Sequence, residues 1–165
     1  NLIGPLAHPA ALTYQVVGVP DARLLRPMAE ALQRLGIRHG MVVHGSDGLD
    51  EVTTTGETEV LEVRPREIIA RRLQPEALGL RRSCLDELRG GDVAYNAQCA
   101  LEILSGRAPS PQRDLIVANT ACVLYVADQV QTIEEGISRA DEVLSAGRAM
   151  QMLSKIKELS TADAA

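Results

Sequence analysis

The stretch from Thr13 to Gly45 constrains the fold more than any other part of this chain. "TYQVVGV", Thr13 to Val19, is apolar and β-branched, and it reads as a buried strand. Asp21 then offers an N-cap, and Leu25, Met28, Ala29, Leu32 and Leu35 recur at helical spacing. Gly36 closes that helix, and Pro27 is tolerable because it falls near the first turn. "HGMVVHG" supplies a second short strand. Strand, helix and strand in that order form a βαβ unit with a right-handed crossover, which predicts an α/β fold and a mostly parallel sheet flanked by helices.

The amino-acid usage agrees with helices laid on a sheet. There are three Tyr and no Phe or Trp, so Leu, Val, Ile, Ala and Met must fill the core. At 165 residues the chain is one compact unit with no internal repeat or low-complexity segment. A net charge of −5 and the lack of a long basic stripe argue against a nucleic-acid surface. No apolar run reaches 18 residues and no secretory signal is present, so neither a membrane nor export is expected. Cys84, Cys99 and Cys122 are widely spaced with no CxxC pair, which suggests free thiols in a cytoplasmic setting and packing roles for all three.

Further along, "TEVLEVRPREIIARRLQP" predicts a hairpin around Arg64-Pro65-Arg66, and "PEALGL" a single helical turn. Asp92 caps a predicted helix through Leu104, and "SPQRDLIVANTACVLYVAD" reads as a buried helix. Thr132 with Glu135 has capping-box spacing, Gly147 ends that segment, and "RAMQMLSKIKELS" gives a last amphipathic helix. Residues 161–165 are expected to fray.

The acidic turn "HGSDGLDEVTTTG" follows the second strand, at the carboxyl end where open α/β sheets bind ligands. Asp50 and Glu51 are adjacent, and in a loop two such carboxylates can serve one hard cation. The bland alternative is a solvated acidic turn, which residue types alone favour, and the position after a βαβ strand brings the two about even. Asp47 reads as a turn residue before Gly48. Thr53-Thr54-Thr55 could present hydroxyls to a phosphate but reads more simply as turn and strand. Gly90-Gly91-Asp92 opens a helix, where Asp92 fits a cap better than an anion site. His8, His39 and His44 lack metal-ligand spacing and read as surface or edge histidines.

Taken together, "NLIGPLAHPA", "QVVGV", "VVHGSDGLDE", "LRGGDVAYNA", "RDLIVANTA" and "GISRADEVLSAGRA" resemble, in order and spacing, the C-terminal half of the anthranilate phosphoribosyltransferases. The resemblance runs from Asn1 to about Leu159. It implies a nucleoside-phosphorylase-like phosphoribosyltransferase fold, with residues 1–160 forming the C-terminal portion of the α/β domain. The implied reaction joins anthranilate to phosphoribosyl pyrophosphate in tryptophan biosynthesis, with Mg²⁺ as cofactor. In the family's motif the Asp-Glu pair binds Mg²⁺, which maps onto Asp50 and Glu51 without departure. Ala7-His8, Tyr95 and Asn119-Thr120-Ala121 stand where the family usually has Thr-Asn, Glu and Asn-Ala-Ala.

The resemblance also implies what these residues do not carry. The family's glycine-rich pyrophosphate loop, its other phosphate contacts and its anthranilate-binding Asn and Arg precede the first motif. No catalytic side chain is therefore expected here. The missing N-terminal half, with its helical domain, or a homodimer partner is the expected companion, and the chain alone is expected to be inactive. The alternatives are a non-catalytic interaction module, a pyrimidine-nucleoside phosphorylase-like relative, or a nucleic-acid-binding paralogue that the acidic balance disfavours.

Overall fold

The computed structural model describes residues 3–107 and 110–162. Asn1 and Leu2, at the head of the first motif, lie outside the described residues, as do the last three residues of the expected frayed tail. The described segment opens with a 3-10 turn at Gly4–Leu6. Strand β1 (Tyr14–Gly18) and strand β2 (His39–Gly45) are joined by helix α1 (Leu25–Arg34), as the sequence pattern predicts. Asp21 caps a 3-10 turn that leads into α1, accepting from the Arg23 N–H at 2.9 Å. Gly36 adopts φ +83°, the left-handed conformation that ends the helix.

The sheet is four-stranded, in the order β1-β2-β3-β4, with β3 at Thr58–Val63 and β4 at Ile68–Leu73. Among the described residues only the β1–β2 pair is parallel. The expected mostly parallel sheet is therefore a mixed one, because β2–β3 and β3–β4 pair antiparallel. The reason lies in the connections. A parallel return needs a crossover, usually helical, whereas residues 46–57 carry no helix, and Arg64 N–H to Glu67 carbonyl at 2.9 Å closes a tight hairpin. The α/β class itself stands as expected.

Among the described residues five further α-helices follow: α2 (Leu85–Leu88), α3 (Val93–Leu104), α4 (Pro111–Val126), α5 (Ile133–Ser145) and α6 (Arg148–Ala162). Ser110 and Thr132 cap α4 and α5 by accepting from the N–H groups three residues on. Two clusters sandwich the sheet. Val42, Leu61 and Val63 pack with Leu25, Met28, Ala29 and Leu32 of α1. Met41, Val43 and Val60 face the other way, onto Ala118, Ala121, Cys122 and Val126 of α4. The alternation of Met41, Val42 and Val43 between the clusters is the period-two signature of a strand covered on both faces. Each fully buried aliphatic side chain contributes about 1.5–3 kcal/mol relative to exposure. Among the described residues no helix is long and apolar enough to cross a membrane.

The amino end of β2 holds a polar cluster that the sequence did not announce. His39, expected at an edge, is completely buried, edge-on to the Tyr125 ring with centroids 5.0 Å apart. Its Nε2 lies 3.2 Å from Glu62 Oε1, and its Nδ1 lies 3.5 Å from Asp128 Oδ1. Glu62, 1% exposed, also meets Arg71 Nε at 2.6 Å and Arg64 at 3.0 Å, and accepts from the Tyr125 hydroxyl at 3.1 Å. Asp128 faces the cluster from the turn after α4, where it also meets Arg38 and the Tyr14 hydroxyl. Burial pushes Glu62 up, but Arg71, Arg64 and Tyr125 together outweigh it and hold its carboxyl below the usual range. Burial, reinforced by the Arg64 charge, holds His39 below its usual value against the pull of Glu62 and Asp128.

The folded state thus keeps His39 neutral at a pH where the unfolded chain has begun to protonate it. Stability is fully present above the unfolded value of about 6.5 and falls as pH drops below it. Urea midpoints at pH 7.5 and 5.5 should decline for the native chain and decline less for His39→Gln. Equal slopes in the two proteins would show that His39 does not couple folding to pH.

Candidate active site

The parallel strands β1 and β2 finish side by side at Gly18 and Gly45, and the acidic turn is built on their ends. Gly45 N–H donates to Leu49 carbonyl at 2.8 Å and Gly48 N–H to Gly45 carbonyl at 2.9 Å. Asp47 is the organiser. Its Oδ1 accepts from Leu49 N–H at 3.0 Å, and its Oδ2 accepts from the hydroxyls of both Thr53 and Thr55. Burial alone would raise the Asp47 carboxyl, yet these donors lower it. Asp47 is therefore a turn residue, as read from the sequence, with a longer reach than its Gly neighbour suggests. The threonine run is inward-facing: Thr54 Oγ1 pairs with Ser83 Oγ at 2.7 Å, and Thr53 and Thr54 are buried.

This internal bonding pushes Asp50 and Glu51 outward. Both side chains are exposed, and among the described residues neither forms an ion pair with a cation. The Glu51 carboxyl is raised, first by loss of water around it and then by the Asp50 charge. It borders a cleft of about 420 Å³ lined with Leu49, Leu85, Leu88, Arg89 and Leu115, which accounts for the lost water. Among the described residues no group of three or more His, Cys, Asp or Glu side chains converges as a metal cage. Two unneutralised carboxylates fit Mg²⁺, which takes one or two protein carboxylates and completes its shell with water and phosphate oxygens.

Two residues that hold the turn were not picked out from the sequence. A Cβ added at Gly18 would lie 1.6 Å from the Asp50 carbonyl oxygen, so the turn rests directly on the β1 backbone. On the other side, Asn119 of α4 accepts from Val52 N–H at 2.9 Å and donates to Val52 carbonyl at 3.0 Å. A signal for Asn119 existed: an amide in the middle of the apolar run "LIVANTACVL" is a poor helix former that needs partners. Nothing comparable marks Gly18.

The other candidates resolve toward structural roles. Asp92 Oδ1 accepts from Tyr95 N–H at 2.8 Å, so it caps α3. His44 is half-buried with Nδ1 2.8 Å from Val19 carbonyl oxygen, and His8 is exposed. Cys122 is a packing residue whose thiol burial pushes up to about 12. Cys84, also expected to pack, is exposed at the start of α2, where Glu87 accepts from its N–H at 2.9 Å.

A parallel strand pair, a helix on each face and paired carboxylates at its carboxyl end form a recognisable unit. Residues 1–150 match the family described as "Glycosyl transferase family, a/b domain", and the chain belongs to that family. Within it, the chain is similar to anthranilate phosphoribosyltransferases. It is 43% identical to that of Clostridium beijerinckii over 161 residues, 98% of this chain and 46% of the relative. It is 45% identical to that of Mesorhizobium japonicum over 160 residues, 97% of this chain and 47% of the relative.

Solved structures agree. The Thermus thermophilus enzyme superposes with TM-score 0.85 at 39% identity, over 93% of this chain and 45% of that one. The Saccharomyces cerevisiae enzyme in complex with PRPP and Mg gives TM-score 0.84 at 30% identity, over 92% of this chain and 44% of that one. The resemblance read from the motifs is borne out, as is the nucleoside-phosphorylase-like fold over the C-terminal half. The chain spans about half the length of the curated relatives it matches.

The Gly18 contact gives a direct test. Gly18→Ala should force the turn and β1 apart at a cost of about 1–3 kcal/mol, the usual scale for overpacking. Urea unfolding reads the cost, and faster amide exchange confined to the turn reads its location. A variant as stable and as protected as the native chain would show that the contact is not tight.

Proposed function

We propose that this chain is the C-terminal portion of the α/β domain of an anthranilate phosphoribosyltransferase. The reaction transfers the phosphoribosyl group of phosphoribosyl pyrophosphate to anthranilate, releasing pyrophosphate, in tryptophan biosynthesis. The observation that carries the reading is the Asp50–Glu51 pair: two adjacent carboxylates with no cation partner among the described residues, at the carboxyl end of parallel strands. The similarity to enzymes of that name, one of them solved with PRPP and Mg, supports the substrates and the metal.

In this reading Asp50 and Glu51 hold Mg²⁺, which when bound would neutralise the charge that gathers on the departing pyrophosphate. The chain's own residues present that pair and keep it free. Asp47, Thr53 and Thr55 satisfy one another, so none of them competes for the cation. Among the described residues no arginine is spent neutralising the pair.

Substrate contacts fall to a further N-terminal half, or to a homodimer partner. Two features support a companion. Among the described residues the outer edge of β1 has no strand beside it, and Ile116 and Val123 of α4, with Val93 of α3 at 86% exposure, leave apolar side chains uncovered. Cys84, Cys99 and Cys122 are free thiols, which fits a cytoplasmic setting.

Loss of anthranilate fluorescence, with phosphoribosyl pyrophosphate and Mg²⁺ present, is the decisive assay. The chain alone should be silent, and a mixture with a separately expressed N-terminal half should be active. Asp50→Asn with Glu51→Gln should lower turnover of the mixture on the order of 10²-fold or more. Silence from two folded, associated halves would favour a non-catalytic interaction module. Full activity in the double variant would remove the metal pair from the reaction.

A further inference from the structure

We propose that Asn119 is a positioning residue for the Asp50–Glu51 pair, an inference that rests on the metal-handling reading above. Asn119 lies in α4, 67 positions from Val52, yet its carboxamide grips Val52 from both sides of that residue. Oδ1 accepts from the Val52 N–H at 2.9 Å, and Nδ2 donates to the Val52 carbonyl at 3.0 Å. The peptide planes before and after Val52 are thereby fixed, and the first of them carries Glu51. Nδ2 also donates to Leu115 carbonyl at 2.9 Å, one turn back along its own helix, which ties the carboxamide to α4. A longer approach of 3.4 Å runs from Nδ2 to Glu51 Oε2, a weak electrostatic contact because both Nδ2 hydrogens already go to the Val52 and Leu115 carbonyls. Among the described residues no protein donor reaches the other oxygen, which stays open to a cation.

The reference frame is rigid. Ala118 and Ala121, which flank Asn119 on α4, are buried against the sheet, and so is Val52 itself. A mobile acidic turn would have to be ordered each time a cation arrived. Clamped to α4 through Val52 and seated on Gly18 through Asp50, this one starts in place. Groups that orient metal ligands without touching the metal affect affinity by about 10–100-fold when removed. An interaction that merely packed α4 would change stability and leave cation affinity alone.

The test uses this chain with Mn²⁺ as a paramagnetic probe and nitrogen-15 NMR as the readout. In the native chain Mn²⁺ should broaden the Asp50 and Glu51 amide signals, and Asp50→Asn with Glu51→Gln should abolish that broadening. Asn119→Ala should lower the apparent Mn²⁺ affinity at these amides by about tenfold, with the β2 and α5 signals unmoved. It should also speed exchange of the Val52 amide. Asn119→Ser, whose hydroxyl can still bond Leu115 carbonyl but cannot grip both groups of Val52, should lose Mn²⁺ affinity as alanine does, whereas native affinity in the serine variant would assign the alanine effect to a loosened helix and overturn the positioning role. Native Mn²⁺ affinity in a folded Asn119 variant, with the double carboxylate variant silent, would overturn the positioning role and leave the metal reading intact. Broadening that persists in the double carboxylate variant would overturn both.

Discussion

Strand β2 is hydrogen-bonded along both edges and covered on both faces, and the rest of the molecule is arranged by that fact. Met41, Val42 and Val43 are essentially inaccessible. Such a strand can place polar chemistry only at its ends, because its middle is committed to two apolar layers. The two ends are used differently. At His39 the polar groups turn inward and pair by charge with Glu62, Arg64, Arg71 and Asp128, while both ring nitrogens and Glu62 Oε2 make no hydrogen bond among the described residues. At Gly45 the chain turns outward, and the internal bonding of Asp47 and the threonines leaves Asp50 and Glu51 facing solvent.

This division leaves the carboxylate of one end enclosed and the carboxylates of the other end exposed. In the buried cluster a carboxylate is surrounded by donors, and both arginines are occupied with it. In the acidic turn the donors go to Asp47, and the next two carboxylates are left unneutralised.

Most elements were legible in the sequence because their signals are local. A β-branched run, a cap residue and a glycine in the left-handed region each act within a few residues, and β1, α1, β2 and the β3–β4 hairpin appear where those signals lie. The place of the acidic turn at the carboxyl end of β2 was legible for the same reason, because it directly follows the βαβ unit. The antiparallel return of β3 was not, since strand direction depends on the length and shape of a connection whose ends look alike. The burial of His39 was missed because its partners, Glu62 and Asp128, lie 23 and 89 positions away. Gly18 was missed on the same grounds, and the Asn119 amide, although it stood out in an apolar run, did not disclose that its partner Val52 lies 67 positions away.

The seating of the turn on Gly18 separates two things usually encoded together. Where the carboxylates sit is written in main-chain contacts, namely the Asp50 carbonyl on Gly18 and the peptide of Val52 against Asn119. What charge they bear is written in two side chains that touch almost nothing else. Placement and chemistry can therefore drift independently through a lineage. A scaffold of this kind can keep the place of a turn while the groups displayed there are rewritten.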